Sequence, residues 1–261
     1  MIDETKGSAQ FANTAQGRPA EGRRGRKLTR VVRGVGWTSI GLGLFILGFV
    51  AQQLFVTTYF AQQANVGLTA EAQVYFADVE ISEVPYEPPL GSLVPGDPVN
   101  IPTPGVPSPT VLVEAKPEIG DAFAIIRIPS IERLQEGWAV VEGVSRRTLR
   151  AGAGHMPSTP LPGQPGNSVI SGHRTTYGAP FHELDTLVEG DIIEVETALG
   201  IHIYSVTGIE IVTPRDLWVI EDRGGATLTL TTCHPKFSSR QRLVVFAELI
   251  EGPNAEAILG V

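Results

Sequence analysis

The fold class this sequence predicts is mainly β: a closed or nearly closed barrel of seven or eight short strands, set behind one membrane-spanning helix and an extended spacer. Three observations predict it. A long uncharged apolar stretch follows a basic N-terminus, prolines then crowd the chain, and past residue 117 short Val-, Ile- and Thr-rich runs alternate with Gly, Pro, Asn and Asp turns.

Residues 1–33 hold eight Lys/Arg against three Asp/Glu, whereas the rest of the 261-residue chain holds twelve basic and twenty-five acidic residues. No charged side chain occurs from Gly34 to Ala70. About 20 apolar residues cross a bilayer core, so residues 34–60 are predicted to form one transmembrane helix. Trp37 falls at its inner aromatic belt and Tyr59 and Phe60 at its outer one. The basic flank keeps the tail 1–33 cytoplasmic and sends the remainder outside. The acidic balance of that remainder excludes a nucleic-acid partner, which would require a basic surface.

Prolines stand at 85, 88, 89, 95, 98, 102, 104, 107, 109 and 117. Each fixes φ and lacks an amide donor, and a polyproline-like segment rises about 3 Å per residue. Residues 61–117 are therefore expected to be an extended extracytoplasmic spacer that holds residues 118–261 away from the membrane. In that last region the strand runs are 122–131, 138–144, 167–173, 191–198, 202–213, 226–233 and 242–250, with short helical pieces near 145, 181 and 214.

The chain has one cysteine, which excludes an intrachain disulfide and a cysteine-based zinc site. Cys233 ends the run ATLTLTTC, where a thiol is presented at the barrel rim. A thiol of ordinary pKa, about 8.5, is mostly protonated at neutral pH and needs an imidazole or a cation beside it to act as a nucleophile. His173 ends the run NSVISGH, and Arg242 opens the strand after the cysteine, a short loop away. A fixed guanidinium there can stabilise negative charge developing on a carbonyl oxygen. Arg240, two residues earlier, is a minor candidate for that role. His234, adjacent to the cysteine, alternates to the opposite face and is assigned no proton transfer. His155, His182 and His202 are too scattered to form a metal site, and neither a metal nor another cofactor is predicted.

Taken together, TLTTCHPKFSSRQRLVVFAEL at 229–249 and NSVISGHRTTYGAPFHELDTLVEGD at 167–191 resemble a sortase, most of all the class E housekeeping sortases of actinobacteria. The resemblance implies a closed eight-stranded β-barrel with a few short helices. It implies a catalytic set of His173, Cys233 and Arg242, with Thr232 at the oxyanion pocket and Tyr177 in recognition of the sorting signal. It also implies a thioacyl-enzyme reaction on secreted proteins with a LAXTG- or LPXTG-like signal, followed by transfer to a peptidoglycan amino group. A thiol endopeptidase and a pilin-polymerising sortase are the alternatives.

Overall fold

The structure, a computed structural model, describes residues 22–52, 57–87 and 108–260. Gly22–Ala51 is helix α1. Its segment Thr29–Ala51 is 23 residues long with a mean hydropathy of 1.8. At about 1.5 Å per residue this gives roughly 35 Å, enough for a hydrocarbon core of about 30 Å. Trp37, Phe45 and Leu47 are exposed along it, as side chains that face lipid would be. The Thr38 hydroxyl is satisfied internally, donating to the Gly34 and Val35 carbonyls. The helix begins well before Gly34, inside the basic tail. Residues 53–56 of the expected span lie outside the described residues.

The structure differs from the expected spacer over 61–117. Thr57–Asp78 is helix α2, and Ile81–Pro85 (β1) pairs antiparallel with Thr110–Glu114 (β2). The reason is local. There is no proline between residues 61 and 84, and Ala61, Asn65, Leu68, Ala72 and Tyr75 recur at helical spacing. Residues 88–107, where most of the prolines fall, lie outside the described residues.

The barrel strands are β3 (Ala122–Arg127), β4 (Trp138–Glu142), β5 (Ala153–His155), β6 (Gly166–Ser171), β7 (Ile192–Thr197), β8 (Gly200–Val212), β9 (Ala226–His234) and β10 (Gln241–Glu251). They close in the order β10-β8-β7-β3-β4-β5-β6-β9. Pairing is parallel at β4–β5 and β6–β9 and antiparallel elsewhere. Helices α3 (Glu132–Gln135), α4 (Arg146–Ala151) and α5 (Ala255–Leu259) are short.

Phe123, Ile170, Tyr204, Leu228, Leu230 and Val245 fill the interior. β7 alternates buried and half-buried residues, as a strand with one solvent-facing side does. β3 and β4 instead read as continuous apolar runs because their outer face is covered too. Ala122, Ile125 and Val141 pack there against Ala72, Leu68 and Phe76 of α2. Two side chains of α2 bond the sheet directly. Asn65 accepts from Ala139 N–H (2.8 Å) and donates to Gly137 O (3.1 Å), while Glu71 accepts from Ala122 N–H (3.2 Å).

Candidate active site

β9 lies between β6 and β10, and its pairing places the chemistry. Along the parallel β6–β9 pair, Ser171 stands opposite Thr231. The register continues past the end of β6, where Gly172 N–H donates to Thr231 O (3.0 Å) and the Thr232 hydroxyl to Gly172 O (2.8 Å). His173 therefore arrives level with Cys233. On the other side Arg242 is the direct partner of Cys233. Leu228 and Leu230 point into the core, so alternation turns Thr231 and Cys233 outward. Cys233 and Arg242 are thus paired at facing strand ends, and His173, two residues past the end of β6, extends the row on the other side, with the free thiol half-buried.

His173 sits under a built cover. Its ring centroid is 5.0 Å from that of Tyr177, and the Arg150 guanidinium lies 5.4 Å from the Tyr177 ring centre on a cation–π contact. Burial, and then the Arg150 charge, push the His173 pKa below its ordinary value. Tyr177 and Ala179 have positive φ (53° and 45°), a conformation that side-chain-bearing residues rarely adopt without support. Arg133 supplies that support by donating to Gly178 O (2.6 Å), and Ala179 N–H closes a turn onto Thr176 O (2.9 Å). Gly172 is required by space, since a Cβ there would fall 2.5 Å from the Phe181 ring.

Arg242 is half-buried, and its Nη1 donates to the Ser239 and Gln241 carbonyls (3.0 and 2.9 Å), which holds one edge of its guanidinium at the β9–β10 turn. Arg240 lies in that turn, before the strand begins, and is exposed. Thr232 is buried and faces the interior, where its hydroxyl ties β6 to β9. The structure does not bring that hydroxyl into the outward row with the thiol. His234 turns inward, as strand alternation requires, and its Nδ1 accepts from Arg174 Nη1 (2.8 Å).

Sequence reasoning missed Arg174, Arg150 and Asp185. Arg174 is nearly fully buried and bonds the Cys233 carbonyl, and Asp185 is its ion-pair partner. The available signal was a cation directly after the candidate base, in a loop rich in Gly and Pro. Burial by itself raises the Asp185 pKa, but the charges of Arg174 and then Lys236, with hydrogen bonds, hold it below its ordinary value. Among the described residues no three His, Cys, Asp or Glu side chains gather into a metal-binding group. A separate cleft of about 390 Å³, lined by Tyr86, Glu87, Gly166, Asp222 and Gly225, lies where β6 and β9 begin. At about 3.3 Å per residue that is roughly 20 Å from their ends.

A family model for the sortase domain matches residues 126–250. The chain is 33% identical to sortase SrtE1 of Streptomyces coelicolor over 150 residues, which is 51% of this chain and 42% of that protein. It is 31% identical to putative sortase YwpE of Bacillus subtilis over 87 residues, 33% of this chain and 85% of that one. The solved structure of sortase E from Streptomyces avermitilis shares 36% identity at a TM-score of 0.47, covering 52% of this chain and 91% of that one. This chain belongs to the sortase family. It spans less than half the length of the first of these relatives.

Proposed function

We propose that the protein is a membrane-anchored cysteine transpeptidase that cleaves a LAXTG- or LPXTG-like sorting signal between Thr and Gly and joins the new carboxyl end to a peptidoglycan amino group. The observation that carries this reading is the pairing of Cys233 with Arg242 across β9 and β10, with His173 brought level with Cys233 by the β6–β9 register continued past Ser171.

In the first half-reaction the Cys233 thiolate attacks the Thr carbonyl carbon. The carbonyl oxygen takes up negative charge, which the Arg242 guanidinium stabilises. As the C–N bond breaks, protonated His173 gives its proton to the departing Gly amine, leaving a thioester on Sγ. In the second, neutral His173 takes a proton from the incoming amine as that amine attacks the thioester and releases the Cys233 thiolate. Because His173 is held below its ordinary pKa, the imidazolium needed for the first step is a minority form at neutral pH, which predicts slow turnover. Tyr177, packed at a tilt against the His173 ring, is the candidate contact for the signal, with Ala in place of Pro at its second position in the preferred form. Helix α1 would anchor the protein with its N-terminus in the cytoplasm. No spacer is proposed for residues 61–117, because α2 and the β1–β2 pair belong to the catalytic unit and residues 88–107 run between β1 and β2.

The test uses the full chain in detergent micelles with LAXTG and LPXTG peptides and an amine acceptor, with products followed by mass spectrometry and Cys233→Ala as control. Ligation that depends on Cys233 and favours LAXTG is the expected result. Hydrolysis unaffected by added amine would make the protein a thiol endopeptidase instead.

A further inference from the structure

Directly behind the reactive row lies a buried cation to which the proposed chemistry gives no role. Arg174 follows His173 in the chain and is 3% exposed. Its Nη1 donates to the Cys233 carbonyl oxygen (3.3 Å) and to His234 Nδ1 (2.8 Å), and its Nη2 pairs with Asp185 (2.8 Å). Asp185 in turn lies 3.7 Å from the Lys236 ammonium. The Arg174 carbonyl accepts from His182 Nδ1 (2.7 Å), so the residue is gripped by both main chain and side chain. A guanidinium can only donate, so His234 Nδ1 is the acceptor of this bond.

A buried charge is costly unless it is paired and hydrogen-bonded, and a position kept only for packing would be better filled by an apolar side chain. The value of this one lies in what it joins. The β6–β9 ladder and its continuation end with the bonds between Gly172 and residues Thr231 and Thr232. Beyond them, among the described residues, the hydrogen bonds that run from the His173 loop to the end of β9 are those of Arg174. It therefore bridges the residue next to the base and the carbonyl of the nucleophile itself.

We propose that Arg174 is a positioning residue of the acyl-transfer site, fixing the His173 imidazole against the Cys233 thiol, with Asp185 as the counter-ion that holds its guanidinium in place. The inference rests on the reading of Cys233 and His173 as a reacting pair.

The test needs no peptide: the rate at which iodoacetamide alkylates Cys233 in the full chain at neutral pH, read by intact mass, in a double-mutant cycle of His173→Ala and Arg174→Met. If Arg174 holds the pair together, His173→Ala slows alkylation about tenfold in the native background and less than about twofold in Arg174→Met, a non-additivity expected only of coupled sites. Additive effects, or an Arg174→Met rate equal to the native one, would overturn the proposal. Thermal unfolding is followed in parallel. Should Arg174→Met be unfolded at the assay temperature, Arg174→Lys takes its place in the cycle, since its shorter side chain keeps a charge for Asp185 but withdraws from the Cys233 carbonyl. A native rate indifferent to His173→Ala would remove the pair and the proposal with it. A His173-dependent rate in a protein that forms no peptide thioester would instead sink the substrate assignment and leave the positioning role standing.

Discussion

Replacing Asn65 with Ala tests whether α2 is part of the catalytic unit. The strand β5 is short and pairs only with Val140–Glu142 of β4, so Ala139 N–H has no strand partner on that side and Asn65 supplies one, while its amide donates to Gly137 O. Ala139 is fully buried. Asn65→Ala therefore leaves one buried donor and one buried acceptor unsatisfied, at about 1–3 kcal/mol each, or about 3 kcal/mol in all once some relaxation is allowed. For a domain of roughly 200 residues each kcal/mol moves Tm by about 2–4 °C, so the expected fall is roughly 6–12 °C. Asn65→Asp keeps the acceptor for Ala139 and should fall about half as far. Trp138 lies between the two bonded residues, which makes thermal unfolding followed by tryptophan fluorescence a suitable assay. A Tm within about 1 °C of the native value in Asn65→Ala would refute the docking of α2. A chain cut to begin at residue 118 should fare worse than either variant, because it uncovers Ala122, Ile125 and Val141.

Gly172→Ala should lower kcat at least about tenfold and cost about 1–3 kcal/mol of stability, since the new methyl meets the Phe181 ring and displaces the residue that precedes His173; steady-state kinetics and thermal melts read both. Arg150→Ala removes the second cause of the lowered His173 pKa but leaves the burial, so NMR titration should show that pKa rising part of the way back, with the acidic limb of the rate profile moving up with it. Glu114 and His202, both bonded around Thr197, should tilt stability in opposite directions. Burial raises the Glu114 pKa to about 7, outweighing hydrogen bonds from Ala198 and Thr197, so its contribution is present at low pH and is lost as pH rises towards 7. Burial lowers the His202 pKa to about 4, so its contribution is present above about 6.5 and is lost as pH falls towards 4. Denaturant melts of Glu114→Gln should then gain stability with rising pH between about 4.5 and 6.5, and those of His202→Gln should lose it, each by up to about 1.4 kcal/mol per pH unit.

Much of the barrel was legible because short runs rich in β-branched residues between turn residues carry their own signal. The runs left the barrel closed or nearly closed with seven or eight strands, the family resemblance narrowed this to a closed barrel of eight, and the three-residue β5 left no run to read. The placement of the candidate residues was legible for a related reason: Cys233 and Arg242 stand at facing strand ends and His173 two residues past the end of β6, and strand ends meet at a barrel rim. Helix α2 was hidden because its buried stripe is built of Ala and Asn as well as Leu and Tyr, which give little hydropathy contrast, and because the prolines that follow coloured the whole segment. The continuous apolar character of β3 and β4 was the trace it left, since a barrel strand with one wet face alternates. Arg174 was hidden because nothing in a sequence tells a buried arginine from a solvated one. Its role appears only when Cys233 O, His234 and Asp185 come together around it.

The central claim, that Cys233 is the acyl-accepting nucleophile of this row, is tested most directly by intact-mass measurement of the full chain quenched in acid soon after mixing with a LAXTG peptide. The account predicts an added mass equal to the peptide up to its Thr, carried on Cys233, absent in Cys233→Ala, strongly reduced in His173→Ala and Arg242→Ala, and discharged by an added amine. An adduct on another residue, or cleavage of the peptide that persists in Cys233→Ala, would contradict it.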